Sequence, residues 1–238
     1  MNIALIGYGR MGHEIEAAAV KRGHDIRLVI DVNNRGDLNS KNLAGIDVAI
    51  EFTLPDSAFH NVKDCLENHV PVVSGTTGWL ENYQKAVEIC KINKTAFLHS
   101  TNFSIGVNLL FKLNEQLAKF MQKYSDYSVA IEEIHHTKKL DAPSGTALTL
   151  VKGITENHSG YDGWAFPGEA GESKIPVTAI REGMVPGTHT VKWDSEIDAI
   201  TLIHESKNRK GLALGAVIAA EFIKGRSGVF TMNDVMGF

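Results

Sequence analysis

Six residues near the start of the chain, Gly7-Tyr8-Gly9-Arg10-Met11-Gly12, restrict the possible folds more than any other segment. They follow a short apolar run, Ile3 to Ile6, and open a helical pattern from Arg10 to Arg22 that leads into a second apolar run, Ile26 to Ile30. Glycines at this spacing between a strand and a helix are the fingerprint of a dinucleotide-binding βαβ unit. Gly7 makes the tight turn, Gly9 lets the backbone approach a pyrophosphate, and Gly12 lets helix pack on strand. The amides of Arg10 and Met11, in the first helical turn, favour the negative charge. A glycine-rich turn with no ligand is the alternative, and the complete βαβ setting weighs against it. Asp31 ends the second run nineteen residues beyond Gly12, where an acid accepts hydrogen bonds from the adenine-ribose hydroxyls of NAD and repels a 2′-phosphate. The alternative for Asp31 is a solvated strand end. With only Arg10 and Arg35 nearby to meet a phosphate, the expectation is NADH preferred, or both NADH and NADPH accepted.

Further apolar runs at Ile46 to Phe52, Val70 to Val73 and Thr95 to Leu98 alternate with helical stretches at Asp56 to His69 and Leu80 to Lys91. That rhythm implies a parallel sheet covered on both faces. After about residue 103 it changes. A helical stretch, Val107 to Gln122, precedes β-rich runs at Ser128 to Ile134, Val177 to Arg181, Thr188 to Trp193 and Ala199 to His204. Their alternation and Gly/Pro turns suit an antiparallel sheet with one wet face. Residues 157–176 read as a long loop and Gly211 to Ile223 as an apolar helix returning to the first domain. The fold expected is α/β: a Rossmann-like parallel-sheet dinucleotide-binding domain, residues 1–103 plus 208–238, with a second α+β substrate and oligomerisation domain, residues 104–207.

The balance of 24 basic against 28 acidic residues argues against a general nucleic-acid binder. The longest nearly apolar run, Leu212 to Ala220, falls well short of the roughly 18 residues that cross a bilayer, and the first residues lack the basic segment of a secretion signal. Cys65 and Cys90, without a Cys/His cluster, predict neither a disulfide framework nor a metal site. A cytoplasmic protein with no nucleic-acid or membrane partner is expected.

The densest chemistry runs from Glu132 to Ala147. His135, His136, Lys138 and Lys139 supply proton donors and positive charge, and Ser144-Gly145-Thr146 at a helix start offers amides and hydroxyls to an anion. A histidine titrates near neutrality and delivers a proton as a hydride arrives, and a lysine anchors an anionic group. The alternative is plain: Asp141 or Ser144 caps a helix, Pro143 starts it, and the lysines are a solvated face.

The run Glu133-x-His135-x-x-x-Lys139-x-Asp141-x-Pro143-Ser144-Gly145-Thr146-Ala147 resembles the signature of the dihydrodipicolinate reductase family, the 4-hydroxy-tetrahydrodipicolinate reductases of lysine and diaminopimelate synthesis. The likeness extends, in the family's order, through Gly7 to Gly12, Phe52-Thr53, Gly75-Thr76-Thr77-Gly78, Asn102 to Asn108 and Arg209 to Val217. The resemblance implies NAD(P)H-dependent reduction of 4-hydroxy-tetrahydrodipicolinate to tetrahydrodipicolinate with loss of water. It implies His135 as general acid and Lys139 as the residue orienting a substrate carboxylate, with His136, Ser144, Gly145 and Thr146 also binding substrate. Phe52, Thr53, Gly75, Thr76, Thr77, Thr101, Asn102 and Phe103 would line the nicotinamide side of the cofactor site. It also implies two domains facing a closing cleft, a homotetramer formed through the second domain's sheet, and a dicarboxylate as the small-molecule partner.

The chain departs from the family at Thr101, where many members have Ala, and at Leu54, where some have Arg. His189 and Arg209 are open between a substrate-facing and a structural role, and Trp79, Trp164 and Trp193 read as packing. Two rivals stay open: another two-domain dehydrogenase acting on a different small acid, and a catalytically silent NADH-sensing protein.

Overall fold

A computed structural model describes residues 1–238. The chain divides into two compact units, Met1–Ile105 with Arg209–Phe238, and Gly106–Asn208.

In the first unit, β1 (Asn2–Ile6), α1 (Arg10–Lys21) and β2 (Asp25–Ile30) form the βαβ unit expected from the glycine motif. A short 3₁₀ segment (Val32–Asp37) and α2 (Ser40–Leu43) then lead to β3 (Val48–Glu51). Next come α3 (Pro55–Glu67), β4 (Val72–Ser74), α4 (Tyr83–Ile92) and β5 (Ala96–His99). Pro55 suits the first turn of α3 because its missing N–H would find no intrahelical partner there. In the second unit α5 (Ile105–Met121), β6 (Ser128–His135), α6 (Gly145–Thr155) and β7 (Gly163–Ala165) are followed by β8 (Lys174–Arg181), β9 (Thr188–Asp194) and β10 (Ala199–Glu205). The chain returns to the first unit with α7 (Lys210–Ile223), β11 (Gly228–Phe230) and α8 (Met232–Met236).

The first sheet has the order β11-β5-β4-β3-β1-β2, and every pairing in it is parallel. Its central strands β1, β3 and β4 are nearly wholly buried because helices cover both faces, which is why they read as apolar runs, whereas the edge strands β2 and β11 are only partly covered. One face packs Ile3, Leu5 and Ile50 against Ile15 of α1 and Ala216 and Val217 of α7; the other packs Ala4, Ile6 and Ala49 against Val62 and Leu66 of α3. Strand order reverses between β1 and β3, so the carboxyl ends of those strands form the crevice where α/β sheets take ligands.

The second sheet, β10-β9-β6-β8-β7, departs from the antiparallel expectation. β9 pairs antiparallel with β6 and β10, but β8 runs parallel to both β6 and β7. Alternation along a strand reports one buried face and carries no information on partner direction. The crossover through α6 puts β8 beside β6. The expected loop 157–176 contains β7 and the start of β8, both too short or too interrupted by Gly and Pro to show a period. Trp193, Val191, Ile131 and Val177 from the sheet bury against Leu150, Val151 and Ile154 of α6. No helix is long and apolar enough to cross a membrane.

Candidate active site

At the carboxyl ends of β1, β2 and β3 lies a cavity of ≈ 500 Å³ lined by Gly7, Gly9, Asp31, Arg35, Phe52 and Thr53, among others. The chain turns into it at Gly7, whose φ of +94° favours glycine; a Cβ there would stand 2.0 Å from the Phe52 carbonyl oxygen. Gly12 permits the close helix approach, since its Cβ would meet the Gly7 carbonyl oxygen at 2.3 Å. A Cβ on Gly9 would meet no atom within 4 Å, so its small size leaves space on the ligand side. No side chain caps α1, and Arg10, Met11 and Gly12 form its first turn. The buried Asn61 Oδ1, also at this cavity, lacks a hydrogen-bond partner. An uncapped helix N-terminus, an open glycine wall and an unpartnered acceptor suit the phosphates and polar edges of a dinucleotide. Asp31 stands exposed at the lip, and Arg35 is already held by Asp64 at 2.6 Å.

Of the other named first-unit residues, Gly75 and Phe103 pack against Phe52. A Cβ on Gly75 would lie 2.2 Å from the Phe52 ring, and the Phe103 and Phe52 rings are 5.7 Å apart. Gly215 of α7 lets the segment at Phe103 come close, for a Cβ there would meet the Phe103 carbonyl oxygen at 1.7 Å. Thr76 is buried; Thr77 and Thr101 are exposed, and Asn102 is half-buried.

Glu51 was not singled out by sequence reading, although an acid ending a buried strand is a signal. Fully buried, it accepts hydrogen bonds from Ser74 Oγ at 2.6 Å, Thr76 Oγ1 at 2.8 Å and Thr53 N at 3.0 Å, and from Thr53 Oγ1. Thr53 N also donates to Thr76 Oγ1 at 2.7 Å. One carboxylate thus ties the turn after β3 to the turn after β4, with its charge satisfied by hydrogen bonds as burial requires.

In the second unit β6 delivers Val129, Ile131, Glu133 and His135 to its buried face by the two-residue period of a strand. His135 is 7% exposed, its ring lies edge-on to His189 with centroids 5.0 Å apart, and its Nδ1 is 3.8 Å from Glu133 Oε2. Gly187 makes room for that ring: a Cβ there would stand 3.0 Å from His135 Nε2. Burial lowers the imidazole pKa to about 4; Glu133 opposes the shift, while His189, Lys139 and Arg181 reinforce it. Glu133 behaves the other way. Burial pushes its carboxyl up, but the hydrogen bonds and charges of His189, Ser144 and Arg181 outweigh that and hold it at about 2.

Lys139 Nζ sits 2.8 Å from both Asp141 oxygens, which lowers the pKa of that exposed carboxyl. Ser144 is buried and N-caps α6 by accepting from Ala147 N at 3.2 Å, while its Oγ lies 3.2 Å from His189 Nε2. Gly145 and Thr146 form the first turn of α6, and the half-buried His136 has an unpartnered Nδ1. Donor atoms of Glu133, His135 and His189 lie within 4.8 Å of one another, but Arg181 and the Ser144 amide already occupy the Glu133 carboxylate, and no metal is assigned to them. A buried general-acid candidate, a lysine paired with an exposed carboxylate and a helix N-terminus thus share one region.

Comparison with known proteins identifies the family. Residues 1–103 and 106–236 match the family profiles described as Dihydrodipicolinate reductase, N-terminus and C-terminus. The 4-hydroxy-tetrahydrodipicolinate reductase of Christiangramia forsetii is 54% identical over 238 residues, 99% of this chain and 98% of its own. That of Methanocaldococcus jannaschii is 37% identical over 198 residues, 80% of this chain and 71% of its own. A dipicolinate-bound dihydrodipicolinate reductase from Paenisporosarcina sp. TG-14 superposes with a TM-score of 0.82 at 26% identity, covering 97% of each chain. With both halves matched in order, the chain belongs to the dihydrodipicolinate reductase family.

Proposed function

We propose that this chain reduces 4-hydroxy-tetrahydrodipicolinate to tetrahydrodipicolinate with NADH or NADPH, releasing water, within lysine and diaminopimelate synthesis. The observation that carries the reading is the signature from Glu133 to Ala147 folded around one buried histidine, in a chain 54% identical to a reductase of that name. Neither a silent nucleotide sensor nor a dehydrogenase for another acid accounts for both. Bound nucleotide supplies the hydride. Gly7, Gly9 and the first turn of α1 receive its pyrophosphate, Asp31 its adenine ribose, and the turns braced by Glu51 its nicotinamide side, with Thr101, Asn102 and Phe103 completing that wall. Lys139 leaves Asp141 for one substrate carboxylate, and His136, Gly145 and Thr146 receive the other, with Ser144 shaping that turn. His135 gives up the proton that accompanies the hydride. The substrate is a dicarboxylate, in keeping with the dipicolinate bound to the Paenisporosarcina relative, and the working form proposed is a cytoplasmic homotetramer associating through the second sheet.

The test is oxidation of each nucleotide with enzymatically generated substrate. Turnover with NADH at least equal to that with NADPH is expected, because Asp31 repels a 2′-phosphate and Arg35 is engaged by Asp64. A large NADPH advantage would overturn the role given to Asp31.

The pH dependence follows from His135. Above about pH 4 the free protein holds it neutral, so kcat/KM, which reports the free protein, falls as pH rises from that region. Two bound carboxylates favour the imidazolium, so the same limb in kcat lies at higher pH. Profiles from pH 3 to 9 with coincident limbs would contradict a proton held by His135 against a dianion.

A further inference from the structure

Beneath the residues assigned to substrate, the second unit holds an ion pair between a buried carboxylate and a half-buried arginine, which the reaction does not consume. Glu133 has no exposed surface. Its Oε1 accepts from Arg181 Nη2 at 2.9 Å, and its Oε2 accepts from the Ser144 amide at 3.0 Å. Arg181 ends β8 as the register partner of His135, and it reaches over the loop that follows β6. There its Nη2 donates to the Asp141 carbonyl at 2.5 Å and its Nε to the Lys139 carbonyl at 3.3 Å. One ion pair therefore fastens both ends of segment 139–144: the Lys139 and Asp141 carbonyls on the arginine, the Ser144 amide on the carboxylate. The same carboxylate stands opposite His189 in the β6–β9 register, 3.7 Å from its Nε2.

A largely buried pair of this kind is a poor stability device, since well-packed apolar residues of similar volume do as well or better. Its hydrogen bonds go instead to the backbone that carries two anion-binding elements. We infer that Glu133 and Arg181 are positioning residues: together they set the separation between Lys139 and the α6 N-terminus, and so the spacing of two carboxylates that the protein accepts. Glu133 has a second effect, on the proton. The groups facing His135 are Glu133 on its own strand, Arg181 on β8, His189 on β9 and Lys139 in the loop. Only Glu133 is negative, so it alone favours the imidazolium.

The inference rests on the dicarboxylate-reductase reading, and two full-length variants separate the two ideas. Glu133→Gln keeps the shape and removes the charge. It is expected to raise substrate KM and lower kcat by about tenfold or more each, since displacing a binding group by an ångström has effects of that size. It also moves the alkaline limb of kcat to lower pH and weakens binding of pyridine-2,6-dicarboxylate, while the Kd for NADH stays at the parental value. Arg181→Lys keeps the charge but loses the fork to two carbonyls; KM rises and the pH limb stays put. Either variant with parental KM and pyridine-2,6-dicarboxylate affinity, altered only in Tm, would overturn the positioning role. If Glu133→Gln fails to fold, Arg181→Lys decides by the same criterion. A parent that turns over neither nucleotide would overturn the reductase reading and this inference with it, whereas an active parent with unaffected variants sinks the positioning role alone.

Discussion

Substituting His135 by glutamine is expected to lower kcat by about 10²- to 10⁴-fold, the usual contribution of a positioned proton donor. Glutamine is close to histidine in size and polar, so it fills the space beside Gly187 and His189 without opening a large cavity. It has no proton to give at any working pH. The loss therefore falls on turnover, with Tm near the parental value and the Kd for NADH unchanged, because the nucleotide cavity is built wholly from first-unit residues. Lys139→Ala is expected to act differently, raising KM and lowering kcat together by removing the cation now held at 2.8 Å by Asp141. Stopped-assay turnover and nucleotide titration of the purified variants measure both. Near-parental kcat in His135→Gln would refute its assignment as the acid.

The second large effect is expected at Gly7. Alanine there would place a Cβ 2.0 Å from the Phe52 carbonyl oxygen, at a φ of +94° that side chains disfavour. Overpacking and backbone strain together cost about 2 to 6 kcal/mol, which for a protein of this size is a fall in Tm of about 4 to 24 °C. Detectable NADH binding should vanish, since relief of the clash pushes the β1–α1 turn away from β3. Gly9 is the informative control. A methyl group there would have no atom within 4 Å and the φ of −81° is ordinary, so Gly9→Ala should fold with nearly parental Tm. That methyl group faces the ligand side, and NADH affinity should drop all the same. Thermal unfolding and fluorescence titration of the pair distinguish the two outcomes; equal Tm values for both variants would contradict the tight turn at Gly7.

These contrasts show which parts of the molecule were legible in the sequence. Most of the first sheet was, because the buried central strands β1, β3 and β4 carry short apolar runs and Gly7 to Gly12 mark where the first ends. β11 and α8 were not: three and five residues are too few to show a period, and Gly228-Val229-Phe230 forms a strand only because β5 offers an open edge. β7 escaped for the same reason. The direction of β8 depends on a crossover rather than on its residues, so an alternating pattern suggested an antiparallel neighbour where a parallel one stands. In the candidate site, His135, Lys139 and Ser144 lie in one segment and were named from it. Glu133 was quoted in the signature without a role, and Arg181 was read only as the end of a strand. Their pairing exists because β6 and β8 align, a fact of tertiary structure. Ser144 was named for its hydroxyl, yet that group caps α6 and faces His189. Glu51 shows the same limit: its three hydroxyl donors come from the ends of two strands that meet only in the folded sheet.

The central claim is that this chain moves a hydride from a reduced nicotinamide into a cyclic dicarboxylate with loss of water. NADH deuterated on the transferred face of C4, mixed with the purified protein and freshly generated 4-hydroxy-tetrahydrodipicolinate, tests it most directly when the product is weighed by mass spectrometry. The account predicts tetrahydrodipicolinate that carries the deuterium and has lost one oxygen relative to the substrate, formed far more slowly by the His135→Gln protein. Oxidised nucleotide without labelled product, or no consumption of either reactant, would contradict it.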